Sequence, residues 1–119
     1  MDKVRINNMK FFAYHGVAPE EKSLGQTFEV DIEVSTSLKV AATSDDLTAS
    51  IDYSVLFTIA KEEMLQHKYD LIETVAQKIS SRVLALNGAK ATTIRIRKPN
   101  APIDGIFDHV EIQISRENT

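Results

Sequence analysis

The 119-residue chain has no cysteine and no tryptophan. The missing thiols exclude disulfides, thiolate metal centres and cysteine nucleophiles. The four glycines and three prolines stand singly, so no glycine-rich phosphate cradle and no low-complexity linker is present. No apolar run approaches the ~20 residues that span a bilayer, and Met1-Asp2-Lys3-Val4 opens no secretory pattern. Neither sign of charge dominates: 14 Lys and Arg face 17 Asp and Glu, a formal net charge of −3. Neither nucleic acid nor a membrane is therefore an expected partner. The cytoplasm is the simplest compartment for such a chain. A 43% apolar and 26% charged composition is ordinary for a globular protein of this length, which is expected to fold as one domain over 1–119.

What the chain does have is alternation. Val4 and Ile6 share one phase and Met9, Phe11 and Ala13 the other, so a first strand with a bulge near Asn7-Asn8 is expected. His15-Gly16 through Gly25 reads as a loop. Phe28, Val30, Ile32 and Val34 then alternate with Glu29, Asp31, Glu33 and Ser35, a phase that continues through Leu38 and Val40 and predicts the longest strand. Thr43-Ser44-Asp45-Asp46 is a cluster of cap and turn residues, read as such and not as an acid–base pair. Val55, Leu56, Ile59, Ala60, Met64 and Leu65 recur at helical spacing behind Asp52, a cap candidate. After the break at His67-Lys68-Tyr69-Asp70, a second helix carries Leu71, Ile72, Val75, Ala76, Ile79, Val83 and Leu84 and stops at Asn87-Gly88. Ile94 and Ile96, then Val110, Ile112 and Ile114, mark two final strands.

The order strand, strand, helix, helix, strand, strand predicts an α+β fold: a four-stranded antiparallel sheet with both helices on one face. The other face would carry Glu29, Asp31, Glu33, Arg95, Arg97, Glu111 and Gln113. Such a face is either solvated or lines a multi-chain barrel, and closure with partner chains would remove the unpaired edges of a small sheet.

Between the last two strands lies Arg97-Lys98-Pro99-Asn100-Ala101-Pro102-Ile103-Asp104-Gly105. Pro99 cannot act as a normal ladder donor and holds Lys98 in extended geometry, so the lysine sits on a stiff mount. Strand alternation points Arg97 away from Lys98. Taken alone, Lys98 reads first as an exposed lysine at a strand end and only second as a proton carrier.

Several segments taken together resemble the dihydroneopterin aldolase family. They are Phe12-Ala13-Tyr14-His15-Gly16-Val17, Glu20-Glu21, Leu24-Gly25-Gln26, Ser44-Asp45-Asp46-Leu47, Ile51-Asp52-Tyr53, Leu71-Ile72-Glu73 and Lys98-Pro99-Asn100-Ala101-Pro102-Ile103. They occur in the family's order and span the chain. The resemblance implies the T-fold, with sheets closing into a ring of four subunits, two rings stacking into an octamer, and active sites between neighbours. Asp104, Ile106-Phe107 and Ser54 depart from the commoner family wording and bear on loop geometry and substrate preference.

The activity it implies is the retro-aldol cleavage of 7,8-dihydroneopterin, a step of folate biosynthesis, to glycolaldehyde and 6-hydroxymethyl-7,8-dihydropterin. Epimerisation at the 2′ carbon accompanies it if the broken bond re-forms on its other face. The dihydropterin's own C=N bond accepts the electrons, so the resemblance implies no cofactor and no metal. His15, His67 and His109 lie in different elements and show no ligand spacing. The implied catalytic residues are Lys98, Tyr53 and Glu21, with Glu20 as the one-residue alternative to Glu21. Lys98 would serve as general acid and base, which favours a pKa lowered by desolvation or nearby cations. The implied substrate contacts are Glu21, Ile51, Tyr53, Ile72 and Glu73. Glu73 would accept two parallel bonds from the pterin's guanidine-like edge, and Tyr53 would come from the neighbouring subunit. Read without the family, Glu73 is a first-turn helix acid, Tyr53 a packed aromatic and Glu21 a solvated loop acid. Two rivals stay open: a 2′-epimerase acting on dihydroneopterin triphosphate, and a pterin-binding protein without catalysis.

Overall fold

The computed structural model describes residues 1–118. Four strands form one antiparallel sheet in the order β1-β2-β3-β4: β1 Asp2–Ala13, β2 Gln26–Thr36, β3 Ala91–Lys98 and β4 Val110–Glu117. Helix α3 (Tyr53–Leu65) packs over β1, and α4 (Ile72–Leu84) over β3 and β4. The predicted sheet with two helices on one face is the fold observed.

Phe28, Val30, Ile32 and Val34 of β2 and Ile94 and Ile96 of β3 are wholly buried beneath Leu56, Met64, Val75, Ile79 and Val83. In β1 the pairing slips between Ile6 and Met9, and Asn8 takes a positive φ of 59°. This bulge switches the phase, so that Val4 and Ile6 on one side of it and Met9, Phe11 and Ala13 on the other all face the core.

Three features differ from expectation. β2 stops at Thr36, leaving β1 the longest strand with 12 residues against 11. Thr36 Oγ1 donates to the Gly88 carbonyl and the Leu38 amide to the Asp2 carboxylate, which turns the chain off the sheet. Leu38 and Val40 only mimic its phase: Lys39–Ser44 is helix α2, with Val40 exposed. The segment expected as a loop contains α1 (Pro19–Leu24), with Pro19 and two glutamates in its first turn, favourable chemistry for a helix start. Finally, α4 ends at Leu84, before the expected Asn87-Gly88, where Gly88 has φ +89°. The Thr43–Asp46 cluster does cap: Asp45 closes α2 in left-handed geometry, and Asp46 accepts from the Thr48 amide to start a 3₁₀ turn over Leu47–Ala49. Asp52 caps α3 through the Ser54 amide.

The face away from the helices is a lattice of ion pairs. Arg97 donates to both oxygens of Asp31 at 2.7 and 2.8 Å, and also reaches Glu29 and Glu111. Glu33 is paired with Lys3 and Arg5. Bidentate bonding by Arg97 holds the Asp31 carboxyl below its usual range, and Arg5 does the same for Glu33.

Candidate active site

A cleft of about 300 Å³ opens where the β3 end, the start of α4 and the 101–103 loop meet. Lys98 is the last residue of β3 and has the parity of Ile94 and Ile96, so its side chain runs along the core side. Its Nζ donates to Glu21 Oε2 at 2.7 Å and lies 6.0 Å from the centre of the Phe28 ring. Both side chains of the pair are mostly buried, at 13% and 9% exposure. Screening by water is therefore weak and the pairing strong.

Glu21 is the only buried residue of α1. Burial pushes its carboxyl up, but hydrogen bonds from Lys98 and from Gln26 Nε2 at 2.9 Å outweigh it, so the group sits below the usual glutamate range. Glu20 is exposed; the acid that meets Lys98 is Glu21. Gln26 and Gly16, which lies against Glu21, are contributors that the sequence reading gave no role. The signal for both was present, since each belongs to a segment that carried the family resemblance.

The opposite wall is the start of α4. Leu71 occupies the cap position and provides no side-chain acceptor; its carbonyl takes the Thr74 amide, and the Ile72 and Glu73 amides have no acceptor among the described residues. Ile72 is buried at this wall, and Glu73 is exposed beside it. Among the described residues no hydrogen bond or ion pair engages the Glu73 carboxylate, whereas Glu21 is fully engaged. The two acids thus differ in availability: one holds the lysine, the other is free for an incoming N–H edge.

Ala101, Pro102 and Ile103 complete the apolar side. Lys98, Glu21, Ile72 and Glu73 therefore come together, and Tyr53 and Ile51 do not line this cleft. Tyr53 opens α3 with its side chain 66% exposed, so it is not the packed aromatic of the bland reading. The Ile51 side chain is buried in the core, which leaves only its backbone for contact. A larger hollow of about 350 Å³ runs along α3 between Phe57 and Leu65, and it gathers no such pairing of groups.

The chain has relatives among known proteins. A sequence profile of the dihydroneopterin aldolase family matches residues 4–115. The chain belongs to the dihydroneopterin aldolase family. It is 37% identical over 120 residues to dihydroneopterin aldolase of Bacillus subtilis, covering 100% of both proteins. It is 38% identical to dihydroneopterin aldolase 1 of Arabidopsis thaliana, over 98% of this chain and 81% of that one. The crystal structure of Escherichia coli dihydroneopterin aldolase in complex with neopterin superposes with a TM-score of 0.89 at 26% identity, covering 98% of this chain and 99% of that one. In this family member the Lys98–Glu21 ion pair and the unengaged Glu73 carboxylate line one cleft.

Proposed function

We propose that this protein is a 7,8-dihydroneopterin aldolase of folate biosynthesis, a carbon–carbon lyase that releases glycolaldehyde and leaves 6-hydroxymethyl-7,8-dihydropterin. One observation carries the reading beyond family membership: the 2.7 Å Lys98–Glu21 pair lies across a single cleft from the unengaged Glu73 and the uncapped start of α4.

Glu73 and the Ile72 backbone grip the 2-amino and N3 edge of the pterin. A carboxylate accepts two parallel N–H bonds there, and the helix N-terminus favours its negative charge. That anchor directs the trihydroxypropyl side chain toward Lys98 and Glu21. A base in the pair, directly or through water, takes the proton from the 2′-hydroxyl. The C1′–C2′ bond then breaks, glycolaldehyde leaves, and the bond's electron pair enters the ring C=N to give an enamine. Lys98 returns a proton to C1′. Re-addition of the aldehyde to its opposite face gives the 2′ epimer with the same groups. Because the substrate supplies its own electron sink, the protein supplies position and proton transfer.

Among the described residues the two edge strands of the sheet, β1 and β4, have no strand on their outer side, and Tyr53 stands exposed outside the cleft. Both features support a homo-oligomeric ring, doubled into an octamer, in which Tyr53 and the Ile51 backbone enter a neighbour's cleft. We place the assembly in the cytoplasm; no helix among the described residues is long and apolar enough to cross a membrane. The triphosphate epimerase is disfavoured by the lining, which sets Glu21, Asp70 and Glu73 against one cation, Lys98.

Incubation with 7,8-dihydroneopterin, with glycolaldehyde detected chemically, tests the proposal. Pterin binding without glycolaldehyde would support the non-catalytic rival instead.

A further inference from the structure

His15 is wholly buried, and the cleavage chemistry above does not use it. Its two ring nitrogens are both engaged by backbone groups of one distant stretch. Nδ1 lies 3.0 Å from the Tyr69 amide nitrogen, and Nε2 lies 2.8 Å from the Met64 carbonyl oxygen. A backbone N–H only donates, so Nδ1 is the acceptor, and Nε2 carries the proton and donates to Met64. One neutral tautomer satisfies both partners. Burial favours that neutral form, and the Lys98 charge and His67 act in the same direction.

The next residue completes the clasp. The Gly16 amide donates to the Tyr69 carbonyl at 2.9 Å, so Tyr69 is held through both its backbone groups by consecutive residues. Its ring stacks on the imidazole at 5.6 Å with an interplanar angle of 19°. Lys68 Nζ donates to the Lys22 carbonyl and lies over the Tyr14 ring, and Lys22 pairs with Asp70. Those outer contacts are exposed and weakly stabilising; the buried His15 bonds are the ones that fix register.

What they join is the two walls of the cleft. Glu21 follows Gly16 by five residues, and Glu73 follows Tyr69 by four. We propose that His15 is a positioning residue that sets the pterin-gripping wall, through Tyr69, at a fixed spacing from the Glu21–Lys98 pair. This rests on the pterin reading of the cleft. A released wall samples other positions, and apparent affinity falls by the fraction of molecules with the walls in register.

Two substitutions separate the two bonds. In His15→Gln the side-chain amide reaches the Met64 carbonyl as Nε2 does, and the Tyr69 amide loses its acceptor. In His15→Asn the side-chain oxygen takes the place of Nδ1 and keeps Tyr69, while Met64 is lost. Calorimetry with neopterin should show Kd raised about tenfold in His15→Gln but within about threefold of the parent in His15→Asn. In His15→Gln, kcat for glycolaldehyde release should fall less than about threefold, because a bound pterin holds the wall. A packing role alone would lower the melting temperature of both variants equally and leave both Kd values unchanged, and that result overturns the proposal. Amide hydrogen exchange over residues 66–73 of the unliganded protein needs no substrate. It should accelerate in His15→Gln and not in His15→Asn, and equal exchange in the two overturns the clasp. A parent protein that binds no neopterin would refute the pterin reading, while exchange still decides whether the clasp exists.

Discussion

Gly16→Ala tests whether the Lys98–Glu21 pair, and the acid–base role proposed for it, depends on the backbone beneath it. Gly16 has φ +154°, a conformation that residues with a side chain rarely adopt. An added Cβ would stand 2.3 Å from Glu21 Cδ, 2.5 Å from its Oε1 and 2.6 Å from its Cβ. Rotation about the side-chain bonds of Glu21 could carry Cδ and Oε1 away, but it leaves Cβ where it is. The glutamate must therefore move as a whole, or the 14–18 segment must. Ordinary contact begins at 3.4 Å, so relief of the 2.6 Å clash with Cβ, the one rotation cannot remove, requires a shift of about 0.8 Å. A shift of that size away from Lys98 and Gln26 takes bonds of 2.7 and 2.9 Å out of hydrogen-bonding range. Misplacing a catalytic group by about 1 Å costs on the order of 10²-fold in rate, and the strained backbone costs about 1–3 kcal/mol of stability. Glycolaldehyde release should thus fall about a hundredfold, and neopterin affinity by no more than the roughly tenfold expected of a released clasp, since Gly16 also donates to the Tyr69 carbonyl. A folded Gly16→Ala protein with kcat within about threefold of the parent would refute the reasoning.

The remaining perturbations address the other groups. Lys98→Ala should lower turnover by about two to four decades with a modest change in neopterin Kd, whereas Glu73→Ala should weaken Kd most; steady-state kinetics beside calorimetry separates the two. If Tyr53 serves a neighbour's cleft, Lys98→Ala and Tyr53→Ala proteins refolded together should recover about a quarter of parental activity by random assortment, and each alone should stay inactive. Arg97→Ala leaves Asp31 buried without its bidentate partner and should cost about 3 kcal/mol in urea unfolding. Glu21, Asp31 and Glu33 all have folded-state pKa values held below the usual ones, so their stabilisation is complete above about pH 5 and lost as pH falls through the depressed values. Urea midpoints should therefore be level between about pH 5 and 7 and decline below about 4.

The sheet and the two long helices were legible because burial there is one-sided, and one-sided burial leaves a period in the sequence. Even the bulge showed, since Asn7-Asn8 is the only way to keep Ile6 and Met9 both inward. What escaped was set by contacts of another kind. Leu38 and Val40 kept the strand phase by coincidence, and only the bonds from Thr36 to Gly88 and from Leu38 to Asp2 reveal where the chain departs. Helix α1 was obscured by its shortness, although Pro19 and the acids after it are start signals. In the cleft, the meeting of Lys98 with Glu21 spans 77 residues of sequence, a distance no local pattern reports; family resemblance brought these residues together before geometry did. His15 shows the limit most plainly. Its spacing from the other histidines carries no signal, and its two backbone partners, at 64 and 69, become visible only once α3 and its following turn lie over β1.

Arg97 and Lys98 show how one strand separates structural charge from chemical charge. They are adjacent, both basic, and opposite in direction. Arg97 turns to the polar face, where Asp31, Glu29 and Glu111 converge on a guanidinium that has five donors to place. That network raises the arginine's pKa further above its already high value, with Asp31 the largest contributor, so the group is a fixed cation and no proton carrier. Lys98 turns to the helix side, where one carboxylate meets it. A reactive lysine was expected to depend on desolvation or nearby cations, with Arg97 pointing away from it. The cation next door in sequence is indeed sequestered by three acids on the far side of the sheet, and the lysine has a single engaged acid, Glu21, as its ion-pair partner. Exchanging the two residues would preserve composition and charge yet place a non-titrating guanidinium in the cleft. Activity in that double variant would show that position, not proton exchange, is what the cleft requires of residue 98; its loss, with the fold retained by circular dichroism, assigns the chemistry to the ammonium.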